Sequence, residues 1–276
     1  MNELGVQPDG KTYSFLIVMY TEDRNLELAL RYLHEIKSRE LTPGVKAIKN
    51  IVMLAAELGH PRLAIDIATW FESKFDTPLD KIVWLKCLAG SAQEFYVSPF
   101  FLPFPLFSLC YAVQVDGVTH CWNLLVNKFD VTPDEGVCLD VLHTAARYGL
   151  TDLATDVLRV LQSAGVEWQE HHFASVIEAL CRNSQLKEAL ITLGIMRNRD
   201  MSPNSKTTRP ILNAISTSVE TIDDTWKIIE EILKERDQVD TAALNVLIEA
   251  SVQLGDLQRA MGSYKSFEEH YVTPDI

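Results

Sequence analysis

The feature that most constrains this chain is a repeating period of about 35 residues, marked by its prolines. Six prolines carry the period: Pro8, Pro43, Pro78, Pro133, Pro203 and Pro274. The first three follow one another at intervals of 35 residues, and the last two intervals, of 70 and 71 residues, are close to twice that length. A fixed period of about 20 to 50 residues is typical of an array of stacked structural units.

Small residues keep the same period at two further places in each unit. Gly59, Gly149 and Gly255 lie where we expect a first helix to end on a residue in the left-handed conformation. A second set predicts the close approach of two helices and consists of Ala29, Ala64, Ala154, Ala189 and Ala260. The period therefore does not depend on the prolines alone.

Apolar residues at helical spacing predict that each unit is a helical hairpin. In the first unit we expect one helix over Thr12–Tyr20 and a second over Leu26–Arg39. A lone hairpin cannot bury its apolar face, but stacked hairpins can. The sequence thus predicts an all-α fold, an α-solenoid of about seven helix-turn-helix repeats of 35 residues. The predicted repeats are 10–44, 45–79, 80–134, 135–169, 170–204, 205–240 and 241–275.

Several short motifs resemble those of the pentatricopeptide repeat family. They are G-V-Q-P-D at 5–9, V-T-P-D at 131–134, A-L-N-V-L-I-E-A at 243–250 and G-D-L-Q-R-A-M at 255–261. The tetratricopeptide repeat has a period of about 34 residues and a W-x-x-L-G-x-x-Y signature that this sequence lacks. The resemblance covers 10–276, with 1–9 similar to the tail of a preceding repeat. The sixth repeat departs from the pattern, with Val219 in place of the glycine and Gln238 in place of the proline.

The resemblance implies a protein that binds single-stranded RNA in mitochondria or chloroplasts, with about one base read per repeat. We expect a mitochondrial protein that acts in RNA processing, stability or translation, without a cofactor. In this family the fifth and the last residue of a repeat together select the base. Carried over, the pairs are Ser14 with Gly44, Lys49 with Leu79, Trp84 with Asp134, Leu139 with Gln169, Ala174 with Asn204, Arg209 with Asp240, and Asn245 with Asp275.

These pairs give the candidate RNA-binding residues Asn245, Asp275, Ser14, Lys49, Trp84 and Arg209. Only the pair of Asn245 and Asp275 matches a familiar family combination, which favours uracil. Other interpretations stay open: Asn245 as a solvated helix residue, and Trp84 and Arg209 as residues that pack against the adjacent repeat. A basic cluster is a candidate phosphate site or an ordinary solvated loop, and it comprises Arg197, Arg199, Lys206 and Arg209.

The charge balance counts against a tight, autonomous nucleic-acid binder. Asp and Glu number 38 and Lys and Arg 25, which gives a net charge of −13, whereas proteins that grip phosphates are usually basic. A local basic stripe is compatible with this total. The acidic charge favours the alternative, a protein-protein interaction scaffold that grips its partner on the solenoid's concave face. So does the fact that most of the predicted pairs match no familiar base-selecting combination of the family.

Neither catalysis nor metal binding is expected from this sequence. It contains no phosphate-binding glycine motif, and His171 and His172 have no further ligand at zinc spacing. None of the five cysteines forms a C-x-x-C pair, so we expect buried, reduced thiols. The prediction is a protein that is not an enzyme.

Residues 95–114 interrupt the period with a hydrophobic insertion. The segment carries no charge and holds 7 aromatic residues and three prolines. A transmembrane helix is disfavoured because the prolines would break it. A hydrophobic loop that docks a partner and a translated intron are the other hypotheses, and the intron is favoured; sequencing the transcript decides between them. The repeat-like ends predict a piece of a longer array, with any presequence upstream.

Overall fold

The computed structural model describes residues 8–93, 115–235 and 239–269, with side chains up to residue 265. Within these ranges the regular structure is helical. The helices are α1 Gly10–Glu22, α2 Leu26–Ser38, α3 Val45–Glu57, α4 Pro61–Phe75, α5 Lys81–Gln93, α6 115–128, α7 Glu135–Tyr148, α8 Thr151–Ser163, α9 Glu170–Arg182, α10 Leu186–Arg197, α11 Ser205–Ile215, α12 Val219–Lys234, α13 Thr241–Gln253 and α14 Leu257–Glu269. The last turn of α6 is a π-helix over Leu124–Lys128.

Consecutive helices form hairpins, and short polar side chains define where the helices begin. The Asp9 carboxylate accepts a hydrogen bond from the Thr12 N–H at 2.8 Å, which caps α1. Asn25 caps α2 in the same way, through the Leu28 N–H at 3.1 Å. Both helices of the first predicted hairpin are confirmed, and α2 ends one residue earlier than predicted.

A residue in the left-handed conformation separates the two helices of most hairpins. Gly59, Gly149 and Gly255 have φ values of +79°, +68° and +77°, which confirms the prediction made for them. Arg24 and Ser184 occupy the equivalent place with φ values of 55° and 59°. The hairpin therefore imposes this conformation on its backbone even where the sequence offers no glycine.

The periodic alanines lie at the helix contacts, as predicted. Four of them are fully buried and the fifth, Ala260, is 6% exposed. Because alanine lacks a bulky side chain, the second helix of each hairpin can approach its neighbours closely. The fold is an α-solenoid of helical repeats, and the predicted fold class is confirmed.

The chain divides into two units, 1–140 and 141–276, with the division inside α7. In the first unit, α1 packs beside α3 and α3 beside α5; in the second, α9 packs beside α11 and α11 beside α13. In each unit the first helices of successive hairpins lie side by side and form one surface. We call that surface the first-helix face of the unit.

Three predictions lie outside the described residues in whole or in part. Residues 95–114 do so entirely, so the three hypotheses for the insertion stay open. The proposed tail of a preceding repeat is described only at residues 8 and 9, and the closing Thr273-Pro274-Asp275 is not described. Over the described ranges, no helix combines the length and apolar character needed to cross a membrane.

Candidate functional site

A cleft of about 420 Å³ opens between α9 and α11 on the first-helix face of the second unit. Glu178 and Arg182 line it from the last turns of α9. Lys206, Arg209 and Asn213 line it from α11. The lining is thus rich in hydrogen-bond donors and in positive charge, although the chain as a whole is acidic.

The start of α11 fixes which residues point into this cleft. The Asn204 side chain accepts hydrogen bonds from the N–H groups of Lys206 and Thr207, at 2.7 and 3.2 Å, and so caps the helix. The Thr207 side chain is fully buried and its hydroxyl donates to Glu170 of α9. With Thr207 held inward, Lys206 and Arg209 share the exposed side of α11, because residues three apart on a helix are neighbours.

Two of the three cations in the cleft are not neutralised. Arg182 donates to the Glu178 carboxylate at 3.0 and 2.9 Å, so this pair carries no net charge. Neither Lys206 nor Arg209 pairs with an acidic side chain in the ranges that the structure describes. Burial raises the pKa of the Cys181 thiol, which also lines the cleft, to about 12, so this thiol stays neutral at pH 7. The cleft can therefore attract an anion such as a phosphodiester.

The basic cluster that the sequence suggested is not one site. Arg197 donates to the Asp240 carboxylate at 2.7 Å, and Asp240 is 1% exposed. Arg199 stacks over the Trp168 ring at 4.2 Å from its centroid. Only Lys206 and Arg209 face the cleft, where Arg182 joins them. Arg182 belongs to no charge run in the sequence, and only the packing of α9 against α11 brings it into the cleft.

The structure joins two of the predicted specificity positions directly. The Gly44 N–H donates to the Ser14 hydroxyl oxygen at 2.8 Å, and the Ser14 hydroxyl donates to the Gly10 carbonyl at 2.6 Å. In the second repeat, Lys49 pairs at 2.6 Å with Asp80, the residue after buried Leu79. In the first repeat the fifth and last positions are adjacent, and in both repeats a contact within the protein occupies the side chain at the fifth position.

Trp84 is not available to a base. Its side chain is 1% exposed, and its indole N–H donates to the Glu72 carboxylate at 3.2 Å. The same Glu72 oxygen accepts from the Leu79 N–H at 2.7 Å, which ties the loop to the ring. The stacking interpretation of Trp84 is therefore wrong, because the residue packs in the core between repeats.

The structure separates the predicted pair of Arg209 and Asp240, and it describes only one residue of the pair of Asn245 and Asp275. Arg209 lies in the cleft, whereas its partner Asp240 is buried against Arg197 and caps α13 through the Ala242 N–H at 2.8 Å. Asn245 is exposed on α13. Asp275 lies outside the described residues, so base contact by Asn245 and Asp275 stays a prediction.

Of the two adjacent histidines, His172 helps to define the start of α9. His172 is buried, and its Nδ1 accepts a hydrogen bond from the Gln169 N–H at 2.9 Å at the start of the helix. Within the described residues, no group of three or more His, Cys, Asp or Glu side chains is placed to hold a metal ion.

Stacked helical hairpins with a cationic cleft between first helices define a helical repeat protein with an anion-attracting surface. Comparison with known families makes this more specific. A profile described as "Pentatricopeptide repeat-containing protein" matches residues 135–267, and one described as "Pentatricopeptide repeat domain" matches residues 1–52. The chain belongs to the pentatricopeptide repeat family.

Two solved structures of the pentatricopeptide repeat protein PPR10 align with nearly all of this chain. The pentatricopeptide repeat protein PPR10 from maize is 19% identical, with a TM-score of 0.47, over 99% of this chain and 36% of that one. PPR10 in complex with an 18-nt psaJ RNA element is 17% identical, with a TM-score of 0.35, over 100% of this chain and 42% of that one. This chain thus spans less than half the length of these relatives. No curated protein matches it in sequence.

Proposed function

We propose that this chain binds single-stranded RNA on its first-helix faces and that the cleft between α9 and α11 holds a phosphodiester. The observation that carries the proposal is the pair of uncompensated cations, Lys206 and Arg209, side by side in a cleft of an otherwise acidic protein. Membership of the pentatricopeptide repeat family supports RNA as the ligand. The family member PPR10 has been solved in complex with an 18-nt psaJ RNA element.

The proposed place of action is the mitochondrion, and the proposed role is RNA processing, stability or translation. Family membership supports an organellar place of action and a role on RNA. The mechanism is passive: the cleft neutralises backbone charge while an extended strand lies along the helices. Because backbone contacts carry no sequence information, this cleft contributes affinity and leaves base selection to other positions.

The charge in the cleft sets how strongly binding depends on salt. For single strands, the slope of log K against log salt is about −0.7 per neutralised phosphate. Two contacts, by Lys206 and Arg209, give a slope of about −1.4. Between 1 M and 0.1 M salt, these two contacts therefore strengthen RNA binding by about 25-fold.

The test is a titration of fluorescently labelled single-stranded RNA with the full chain at several salt concentrations. The double variant Lys206→Ala with Arg209→Ala should bind about 25-fold more weakly at 0.1 M salt and lose about 1.4 from the slope. A matched control exists on α12, where Lys227 pairs with Asp224 and Lys234 with Glu230 at the surface. The variant Lys227→Ala with Lys234→Ala changes net charge equally and should bind RNA with much less loss.

Two results would contradict the proposal. The first is a wild-type chain that binds no RNA at low salt. The second is a control variant that loses as much affinity and slope as the cleft variant, because total charge would then explain the binding.

The net charge of −13 favours a second candidate, a protein-interaction scaffold that grips a protein partner on a first-helix face. An acidic chain is repelled by polyphosphate at long range but not by a basic protein. Crosslinking in cells with the full-length gene product separates the two functions. Recovery of a stable protein partner without RNA would favour the scaffold.

A further inference from the structure

A second cleft, of about 600 Å³, lies on the first-helix face of the first unit between α1 and the start of α3. Its chemistry differs from that of the cleft between α9 and α11. Phe15 and Met19 line it with exposed apolar surface, at 66% and 44% of their full exposure. Lys11 and Lys46 line it with positive charge. An aromatic ring and two ammonium groups thus share one depression.

The helix geometry explains this juxtaposition. Lys11, Phe15 and Met19 follow one another at intervals of four residues, so they occupy one side of α1, with successive side chains about 6 Å apart along the axis. Lys46 is the second residue of α3. The hydrogen bond from the Gly44 N–H to the Ser14 hydroxyl, at 2.8 Å, fixes the start of α3 against α1. The backbone therefore holds Lys46 next to the side of α1 that carries Phe15.

The exposure of Phe15 contrasts with that of its aromatic neighbour. Tyr13, two residues earlier, is 5% exposed and packs with the Tyr32 ring. Two thirds of the Phe15 surface is exposed to water, so a ligand group that covered the ring would gain free energy from the burial of apolar surface. The α1 hairpin therefore uses Tyr13 for its own packing and leaves Phe15 available.

The two lysines of this cleft are also available. Neither Lys11 nor Lys46 forms an ion pair with an acidic side chain in the described part of the chain. Asp9, the acid nearest to Lys11 in sequence, caps α1 through the Thr12 N–H and hydroxyl. Glu22 lines the far end of the cleft, about 16 Å from Lys11 along the helix.

We infer that Phe15 is a base-stacking residue: one nucleotide of a bound single strand lies on its ring, while Lys11 and Lys46 contact the flanking phosphates. This inference rests on the proposed RNA binding and names a residue for it that is not one of the predicted specificity positions. A flat apolar face beside positive charge is the arrangement by which single-stranded nucleic acid is held without sequence preference. The adjacent residue Ser14 is a predicted specificity position, but its hydroxyl is already hydrogen-bonded to Gly44 and Gly10.

The experiment measures single-stranded RNA binding by the full chain carrying Phe15→Ala or Phe15→Trp. Phe15→Ala should weaken binding by about 5- to 100-fold, and by a similar factor for oligouridine and oligoadenosine, since every base has a face to stack. Phe15→Trp should bind at least as tightly as wild type. Leu257→Ala is the matched control, because Leu257 is 67% exposed on α14, a second helix, and its truncation should leave binding unchanged.

The outcomes separate this inference from the proposal on which it rests. If Lys206→Ala with Arg209→Ala weakens RNA binding while Phe15→Ala behaves like Leu257→Ala, RNA binding stands and the stacking role of Phe15 is overturned. A Phe15→Ala chain that keeps its RNA affinity but loses a protein partner overturns it too. If Phe15→Trp weakens RNA binding as much as Phe15→Ala does, the stacking role is contradicted too. A wild-type chain that binds no RNA removes both proposals.

Discussion

The buried ion pair between Arg197 and Asp240 makes a testable statement about what holds the second unit together. Asp240 is 1% exposed at its side chain, and it accepts hydrogen bonds from three donors. Two are Arg197 Nε and Nη2, at 2.7 and 3.4 Å, and the third is the Ala242 N–H at 2.8 Å. One carboxylate therefore both caps α13 and ties it to the end of α10.

The expected cost of Asp240→Ala follows from these contacts. Loss of a helix N-cap costs about 1 kcal/mol. Loss of hydrogen bonds to a charged group costs about 1.5–3 kcal/mol. Arg197 is 39% exposed at its side chain, so its guanidinium can return to water and adds no stranded-charge penalty. The sum is a loss of about 2.5–4 kcal/mol in the free energy that protects α13.

Asp240→Asn separates the two contributions. The amide oxygen of asparagine can still accept from the Ala242 N–H, so the cap is kept while the charge is lost. We therefore expect this variant to lose about 1 kcal/mol less than Asp240→Ala. Asp224→Ala is the control in the same unit, because Asp224 is 69% exposed beside Lys227 and such surface pairs contribute about 0–1 kcal/mol.

The assay is native-state hydrogen exchange of the α13 amides, which reports the opening free energy of this helix without assuming that the whole chain unfolds in one step. Protection should decrease in the order wild type, Asp240→Asn, Asp240→Ala. Equal protection in Asp240→Ala and Asp224→Ala would refute the reasoning. Equal losses in the two Asp240 variants would refute the role of the cap.

Two further predictions concern the hairpin turns and the buried thiols. Gly149→Ala and Gly255→Ala each replace a glycine at positive φ, which should cost about 1–2 kcal/mol. Gly149→Ala should lower the free energy of unfolding in urea by more, because a Cβ at 149 would also lie 3.3 Å from Arg182 Cβ. Equal losses in the two variants would contradict a role for this close approach. Burial raises the pKa of the Cys87 thiol from 9.0 to about 12. The neutral thiol therefore stabilises the fold fully below about pH 9, and this contribution falls by about 1.4 kcal/mol per pH unit as the pH rises from there toward 12. Urea unfolding between pH 8 and 11 should therefore show a shallower decline for Cys87→Ala than for wild type, and parallel curves would count against it.

The regular parts of this fold could be predicted from the sequence because they depend on spacing along the chain. The glycines that close the first helices and the alanines at helix contacts recur with the period, and the structure places both as expected. Arg24 and Ser184 were not predicted to be left-handed. Their side chains give no signal for it, because the hairpin, and not the residue type, imposes that conformation.

The fate of the charged and aromatic candidates could not be predicted in the same way. Arg197 and Arg199 lie near Lys206 in sequence, but Arg197 binds a carboxylate 43 residues away and Arg199 stacks on a ring of the preceding repeat. Trp84 occupies a predicted specificity position, yet it lies in the core, where its indole N–H donates to Glu72 of the preceding hairpin. Such partners belong to other repeats, so a motif within one repeat carries no information about them.

The two clefts lead to an expectation about selectivity. Both lie between the first helices of consecutive repeats, yet one presents two cations and the other an aromatic ring with two lysines. Among the fifth positions, Trp84 is buried, and Ser14 and Lys49 bond within the protein. Phosphate contacts and stacking do not distinguish bases, whereas hydrogen bonds to base edges do. RNA held by these clefts should therefore be bound with affinity that varies strongly with salt and with the residue at position 15, and only weakly with base sequence.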